Sequence, residues 1–317
     1  MINLNNKCRV KGHYKIKKYN AVTNELKSVH EFDNLIVNVG LDAFAGAKFE
    51  RQSATFKFAV GAGTSVPAVT NTSLDNEIAR SDKFQFKSSG NPVAPDYISK
   101  VNGTARFNAG VINNTITEVG VYTSNTYGYN TYPLFSRALI LDNNSNPTNL
   151  TVLENEYLDC TYELTYYPIL EETTGTVELN GVTYSYVNKP FRVGEQAIIN
   201  HPGNIADNAG HYIKVWPLET NEVSAITDSI NYANVGTIAW KGAYEDGTYK
   251  RRYTYLLDLN EGNFTTGIGS ICIQDQALVI VHNKITFTPK IPKDNTCTML
   301  FEFETLQLAR YEPPTTP

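Results

Sequence analysis

Apolar and polar residues alternate over long stretches of the chain, as expected for strands with one buried and one wet face. The clearest stretch lies between 151 and 168, where every second residue from Leu158 onward is apolar. Its apolar positions are Leu158, Cys160, Tyr162, Leu164 and Tyr166. This period of two predicts a long antiparallel strand.

A second alternating stretch, 176–186, has the dipeptide Asn180-Gly181 near its centre. Asn-Gly is favoured in the two-residue turns of hairpins, because both residues tolerate positive φ angles. We therefore predict a β-hairpin within 174–193. Further strands are predicted at 12–19, 27–37, 55–60, 98–110, 115–123, 132–141, 248–259, 268–274, 277–289 and 296–310.

Helical patterns are few and short. The best one covers 38–49, where Asn38 can cap the first turn and Leu41, Phe44 and Ala45 share a face. A weaker one covers 75–80. Helices this short do not organise a fold by themselves, so the chain is predicted to be mainly β.

The chain is long enough for two domains. Turn-forming residues cluster in Asn200-His-Pro-Gly-Asn204, which suggests a linker at 196–210. We therefore predict two antiparallel β-sandwich-like lobes, 1–195 and 211–311, with one or two short helices. The hairpin within 174–193 would end the first lobe, and the Pro- and Thr-rich tail 312–317 would be disordered.

Composition agrees with a β-rich fold, since 20 Tyr and 14 Phe accompany two Met in 317 residues. The net charge of −5 gives no general reason to bind nucleic acid or an anionic membrane. No apolar run approaches membrane-spanning length, and the segment MINLNNKC lacks the apolar part of a signal peptide. We expect synthesis in the cytosol and neither a nucleic-acid nor a membrane partner.

A basic segment, 7–18, is the local exception, with six Lys or Arg residues. The favoured interpretation is a solvated edge strand whose lysines discourage aggregation with other strands. A strand that faces phosphate groups is the alternative.

Residues able to do chemistry are sparse. The cysteines, Cys8, Cys160, Cys272 and Cys297, form no CxxC pair, so we expect reduced thiols. His201 and His211 flank Asp207 but lack a third donor at metal-ligand spacing.

Catalytic motifs are also missing from the sequence. There is no G-x-S-x-G elbow, and Gly61-Ala-Gly63 lacks the lysine of a phosphate-binding loop. Neighbouring carboxylates such as Glu154 and Glu156 carry no sign of burial. We expect no metal, no cofactor and no enzymatic activity.

An ordered set of motifs is the most specific feature of the sequence. It comprises Phe32-Asp-Asn-Leu-Ile-Val37, Gly40-Leu41, Phe58-Ala-Val-Gly61-Ala-Gly63-Thr-Ser-Val-Pro67, Thr72-Ser-Leu74, Glu77-Ile-Ala-Arg80, Ile116-Thr-Glu-Val-Gly-Val-Tyr122 and Leu134-Phe-Ser-Arg137. A C-terminal group adds Asn263-Phe-Thr-Thr-Gly-Ile-Gly-Ser-Ile271, Ile285-Thr-Phe-Thr-Pro-Lys-Ile-Pro-Lys293 and Leu308-Ala-Arg310. This order resembles a family of tailed-bacteriophage virion proteins, found among tail-fibre, baseplate and neck or collar components. The resemblance covers most of the chain and is thin between about 195 and 260.

The resemblance implies a structural protein of the phage tail that acts in particle assembly. Its partners would be other virion proteins, as a homo-oligomer or ring subunit, and it would reside in the virion after assembly in the host cytoplasm. Its structural motif would comprise Gly61, Gly63, Pro67, Arg80, Glu118, Gly120 and Arg137. Loop aromatics whose burial would need a neighbouring subunit are Tyr127, Tyr129 and Tyr132.

Alternation within 116–122 places Glu118 on one face with Gly120 and Tyr122. Glu118 is then expected to pair with Arg80 or Arg137 and to join a loop to the strand, the alternative being independent surface charges. Glycine at 120 suggests a bulge or a close backbone approach. Gly61 and Gly63 are expected to adopt φ angles that other residues avoid.

A receptor- or glycan-binding module of a tail fibre is the alternative function, with a host-surface receptor as partner. Its stacking platforms would be the aromatic residues Trp216, Trp240, Tyr244 and Tyr249. A capsule-degrading enzyme, the third hypothesis, would require a cleft that holds two carboxylates.

Overall fold

The computed structural model describes residues 2–4, 8–46, 56–84, 86–88, 94–123, 133–191, 213–220, 237–244, 247–275, 282–306 and 308–312. The strands of the first part are β1 Ile2–Leu4, β2 Cys8–Asn20, β3 Leu26–Asp33, β4 Leu35–Ile36, β5 Phe56–Gly61, β6 Glu77–Phe84, β7 Lys87–Ser88, β8 Ser99–Phe107, β9 Asn114–Ile116, β10 Glu118–Thr123 and β11 Leu134–Leu139. Those that follow are β12 Leu150–Val152, β13 Glu156–Pro168, β14 Thr173–Leu179, β15 Val182–Phe191, β16 Ile213–Leu218, β17 Thr237–Tyr244, β18 Lys250–Leu257, β19 Ile268–Asp275, β20 His282–Ile291, β21 Met299–Leu306 and β22 Leu308–Arg310. The predicted mainly β class is confirmed.

Two sheets packed face to face, here called the sandwich, form the first part of the fold. One has the order β22-β2-β13-β8-β7, with β3 also paired to β2, and the other has the order β4-β11-β10-β5-β6. Aromatic rings join the two layers: Tyr14 lies 5.3 Å from Phe58, and Tyr162 lies 6.2 Å from Phe135, between ring centroids. Such tilted and edge-on pairs stabilise a core beyond the area that they bury.

Strand β2 carries residues 8–18 of the basic segment and is not an edge strand. It pairs with β13 on one side and with β3 and β22 on the other, so the predicted edge position is wrong. The outward lysines pair with acids of β3, for example Lys11 with Asp33 at 2.7 Å and Lys15 with Glu31. The next strand along the chain, β3, covers residues 13–19 of β2, and the distant β22 covers only residues 8–10.

A nine-stranded sheet, here called the curled sheet, forms the second part. Its order is β1-β21-β18-β17-β16-β19-β20-β15-β14. The outermost strands β1 and β14 approach each other, and side chains from both ends share one core with Tyr253, Phe287 and Phe301. The sheet therefore curls around its own apolar face.

The predicted hairpin is present as β14 and β15. Its turn residues Asn180 and Gly181 have φ angles of 51° and 75°, as a two-residue hairpin turn requires. However, β15 pairs with β20, and Tyr184 and Tyr186 enter the core of the curled sheet. The structure thus places the hairpin outside the sandwich, whereas we expected it to end the first lobe. The expected linker 196–210 lies outside the described residues.

The sandwich and the curled sheet each contain one parallel ladder. Strand β1 runs parallel to β21 in the curled sheet, and β2 runs parallel to β22 in the sandwich. The chain therefore passes from the curled sheet to the sandwich twice, once between 4 and 8 and once between 306 and 308.

The helix α1, Asn38–Gly46, begins at the predicted cap and buries Leu41. The predicted helix at 75–80 is wrong, because β6 occupies 77–84 and pairs with β5. Pairing with a neighbouring strand outweighs the weak helical preference of so short a segment. No helix in the described part of the chain is both long and apolar enough to cross a membrane.

Candidate functional site

The loop 62–76 and helix α1 cover the face of the five-stranded sheet that points away from the sandwich core. Between them and the sheet lies a small apolar cluster that includes Val37, Leu74, Tyr122 and Leu134. Strand β10 lies in the middle of this sheet, paired with β5 and β11, and all of its residues are buried. Any charge on β10 therefore has to find its partners inside the protein.

Glu118, the first residue of β10, is fully buried, and its carboxylate binds the backbone of the loop. Oε1 accepts hydrogen bonds from the amides of Gly63 and Asn76, each at 2.9 Å. Oε2 accepts one from the amide of Asp75 at 3.2 Å. One carboxylate thus holds both ends of the loop.

Arg137 on β11 is the counter-ion of Glu118. Its Nε donates to Glu118 Oε2 at 2.9 Å, and neither side chain is exposed to solvent. Nη2 lies 2.6 Å from Asp75 Oδ2, and Nη1 donates to Asn71 Oδ1 at 3.0 Å. Of the two partners expected for Glu118, the structure brings Arg137 to it. We call Glu118, Arg137 and Asp75 the clamp.

Within the clamp, Asp75 contacts the loop residue Ser65. Its carboxylate accepts hydrogen bonds from the hydroxyl and the amide of Ser65, and it faces Arg137. The Ser65 hydroxyl, followed by Arg137, holds the pKa of Asp75 below its ordinary value. The ionised form of Asp75 is therefore the one that the fold stabilises.

Positions 61 and 63 require glycine because a side chain there would not fit beside Glu118. The glycines with positive φ are others, such as Gly181, so the φ angles expected at 61 and 63 are wrong. A Cβ on Gly61 would lie 2.7 Å from Glu118 Oε1, and one on Gly63 would collide with the same oxygen. The two glycines let the loop backbone reach the buried carboxylate.

Gly120 lies where covering side chains approach β10 closely. A Cβ there would meet Leu74 Cδ2 at 2.9 Å and Leu134 Cδ1 at 3.0 Å. The register with β11 also shifts between Val121 and Tyr122. Of the two alternatives that a mid-strand glycine suggested, the close approach is present at Gly120, whereas the shift in register lies beyond it.

Arg80 does not take part in the clamp. Its guanidinium binds both carboxylate oxygens of Glu77, at 2.8 and 2.6 Å, and lies 3.7 Å from the ring centroid of Tyr122. The Tyr122 hydroxyl accepts a hydrogen bond from the amide of Leu74. Arg80 therefore packs beside the end of the loop, and Pro67 is half-buried within the loop.

Most of the aromatic residues singled out in the sequence lie outside the described part of the structure. Tyr127, Tyr129 and Tyr132 lie outside the described residues, as do the side chains of Trp216, Trp240 and Tyr244. Tyr249 is half-buried and packs against the core of the sandwich.

Sequence reasoning missed three members of the site: Ser65, Asn71 and Asp75. Asp75 directly follows the Thr72-Ser-Leu74 motif, so its position relative to that motif was the available signal. Ser65 and Asn71 are uncharged loop residues, and their contacts with Arg137 carry no signature in sequence.

The contacts of the clamp indicate a structural role. The carboxylate of Glu118 is occupied by three backbone amides and one guanidinium, which leaves it no free position for a reacting group. Within the described ranges, no three His, Cys, Asp or Glu side chains are placed to hold a metal ion. Burial raises the pKa of the Cys8 and Cys272 thiols to about 12 and also raises that of Cys160, which suppresses thiolate chemistry.

Comparison with known proteins gives no match: no family model, no curated protein and no solved structure is significantly similar to this chain.

Proposed function

We propose that this protein is a structural component of a bacteriophage tail, at the neck or collar, the baseplate or the fibre attachment. It acts in particle assembly through contacts with other virion proteins, as a homo-oligomer or ring subunit. It is assembled in the host cytoplasm, remains in the virion, and has no catalytic role.

The clamp is the observation that supports this proposal. Four positions from three separate motifs of the phage-like set meet at one buried site: Gly61, Gly63, Glu118 and Arg137. The order of those motifs along the chain therefore corresponds to one physical unit, a loop fixed on a sheet. Motifs that maintain a scaffold shared by a protein family are expected to meet in one structural unit of this kind.

The fixed loop offers a surface suited to a protein partner. Val66 at its tip is 80% exposed and Val69 is 38% exposed. Residues 62–74 carry no charged side chain. Because the clamp has already ordered the backbone, a partner that binds the tip pays little conformational entropy.

Particle fractionation tests the proposal directly. Antibodies raised against the purified chain are used to probe tailed particles of the encoding phage after density-gradient centrifugation. We expect the chain to co-sediment with intact particles and immunogold to label the tail. A chain that stays in the soluble fraction of the lysate would contradict the proposed role.

A pair of valine variants tests the loop itself. Val66→Asp introduces a charge at the tip, and Val22→Asp introduces one at an equally exposed position on the β2–β3 turn. We expect the first variant to be excluded from particles and the second to be incorporated. Equal incorporation of both would show that the loop tip is not a contact surface.

A further inference from the structure

The curled sheet carries a cleft that the proposed tail role does not use. It has a volume of about 650 Å³ and lies between the turn 263–267 and the turn 292–297. This size falls within the range of about 300–1,000 Å³ that is typical of small-ligand sites.

Lys293 builds one wall of the cleft. It is 94% buried, and its ammonium donates to the carbonyls of Asp258 and Asp294 and to Asn263 Oδ1, at 2.8, 3.2 and 2.9 Å. An ammonium has three hydrogens, so these three acceptors satisfy it. Lys293 therefore joins three backbone segments and offers no free donor to a ligand.

Thr266 is fixed in the opposite wall. Its amide and hydroxyl both contact Glu219 Oε1, at 3.0 and 2.9 Å, and Lys290 Nζ lies 2.8 Å from the hydroxyl. Gly267 has a φ of 91°, and a Cβ there would lie 2.7 Å from the carbonyl oxygen of Ile291. Glycine thus allows the two walls to meet at the base, and the cleft is formed before any ligand arrives.

The lining determines which ligand chemistry fits. Its charged residues are one cation and one anion, Lys293 and Asp294. Lys293 is already satisfied, and the nearby Lys290, which is not part of the lining, donates to the Thr266 hydroxyl. The other side chains that present polar atoms are amides and hydroxyls, such as Asn295 and Thr265, and Phe264 adds a half-buried ring. A phosphate or carboxylate ligand would need a free cation, whereas amides and hydroxyls suit an uncharged ligand with many hydroxyl groups.

From this chemistry we infer that the cleft binds a neutral saccharide. Amide and hydroxyl groups of the two turns hydrogen-bond the sugar hydroxyls, and the Phe264 ring contacts an apolar sugar face. The inference does not depend on the tail assignment, since it rests on the lining of the cleft alone.

Cys297 provides a reporter for occupancy. It lines the cleft and is the one cysteine of the four that is not buried. In the native protein, a thiol reagent such as dithiobis(nitrobenzoate) should modify one thiol rapidly. A saccharide that fills the cleft should slow this reaction.

The test combines a glycan array with this thiol assay. The full chain is applied to an array of neutral and acidic bacterial oligosaccharides, and each bound glycan is then added to the thiol reaction. We expect at least one neutral glycan to bind and to protect Cys297, and inorganic phosphate to give no protection. The absence of any neutral binder, or equal protection by phosphate, would overturn the inference.

A pair of asparagine variants tests whether the glycan binds in this cleft. Asn295→Ala removes an exposed amide from the cleft, and Asn260→Ala removes one from a nearby exposed turn that does not line it. We expect the first to weaken glycan binding about tenfold and the second to leave it unchanged, with unaltered melting temperatures for both. Equal affinities of the two variants would place the binding site elsewhere. Loss of glycan binding would leave virion incorporation intact, so the two proposals fail separately.

Discussion

Replacement of Arg137 by methionine is the most direct test of the clamp. Methionine keeps an unbranched apolar stem but removes the guanidinium and the charge that faces Glu118. The Glu118 carboxylate then remains fully buried, held by three amides and without a counter-ion. Breaking a buried pair by removing one partner costs about 3–5 kcal/mol.

Loss of the contact between Arg137 and Asp75 adds little to this energetic cost, because the Asp75 side chain is 35% exposed and water screens its charge. We therefore expect Arg137→Met to lower the free energy of unfolding by about 3–5 kcal/mol. Urea denaturation followed by circular dichroism measures this loss. Hydrogen exchange at the amides of Gly63 and Asn76 should show that the loop is released.

Arg80→Met is the matched control, since it also removes a guanidinium that binds a carboxylate. The Arg80 and Glu77 side chains are 31% and 29% exposed, so its loss should cost only about 1 kcal/mol. The double variant Glu118→Gln with Arg137→Met should be more stable than Arg137→Met alone, because no buried charge is stranded. Equal costs for the two arginine variants, or a less stable double variant, would refute the reasoning.

Three further predictions concern other parts of the structure. Gly63→Ala should cost about 1–3 kcal/mol in urea denaturation, because its Cβ collides with the Glu118 carboxylate; an unchanged midpoint would contradict the crowding. The fragment 211–311 should lack near-ultraviolet dichroism when it is expressed alone, because its strand β20 loses the neighbouring hairpin β14–β15; a folded 211–311 would contradict this. The pKa of Asp75 is lowered in the folded protein, so its stabilising effect should be complete above the ordinary value of 3.8 and be lost as the pH falls through the folded pKa. The protection factor of the Ser65 amide, which corrects for the intrinsic slowing of amide exchange in acid, should therefore fall as Asp75 is protonated. A protection factor that stays constant through this protonation would be inconsistent with the bond.

The pairing of Glu118 was predictable because two local signals agree. Alternation within 116–122 determines the face of the strand on which Glu118 lies, and the motif order names Arg137 as a candidate partner. Both signals involve residues whose strands are adjacent in the same sheet. Burial of the pair was not predictable, because it depends on the path of the loop 62–76 over that face.

Sheet membership was harder to predict than strand position. Asn180-Gly181 specifies the hairpin turn and its register, yet nothing in 174–193 says that β20 is its neighbour. The edge position expected for β2 is wrong because β3, the next strand along the chain, pairs with residues 13–19, and β22, about 300 residues away, pairs with residues 8–10. Alternation reports which face is apolar and leaves open which strand lies alongside.

The two parallel ladders also set the order of events during synthesis. Strand β1 cannot pair until β21 has left the ribosome, and the first residues of β2 wait in the same way for β22. Contacts of such long sequence separation form slowly, because they close very large loops. The sandwich and the curled sheet must therefore both wait for residues 299–310 before either is complete.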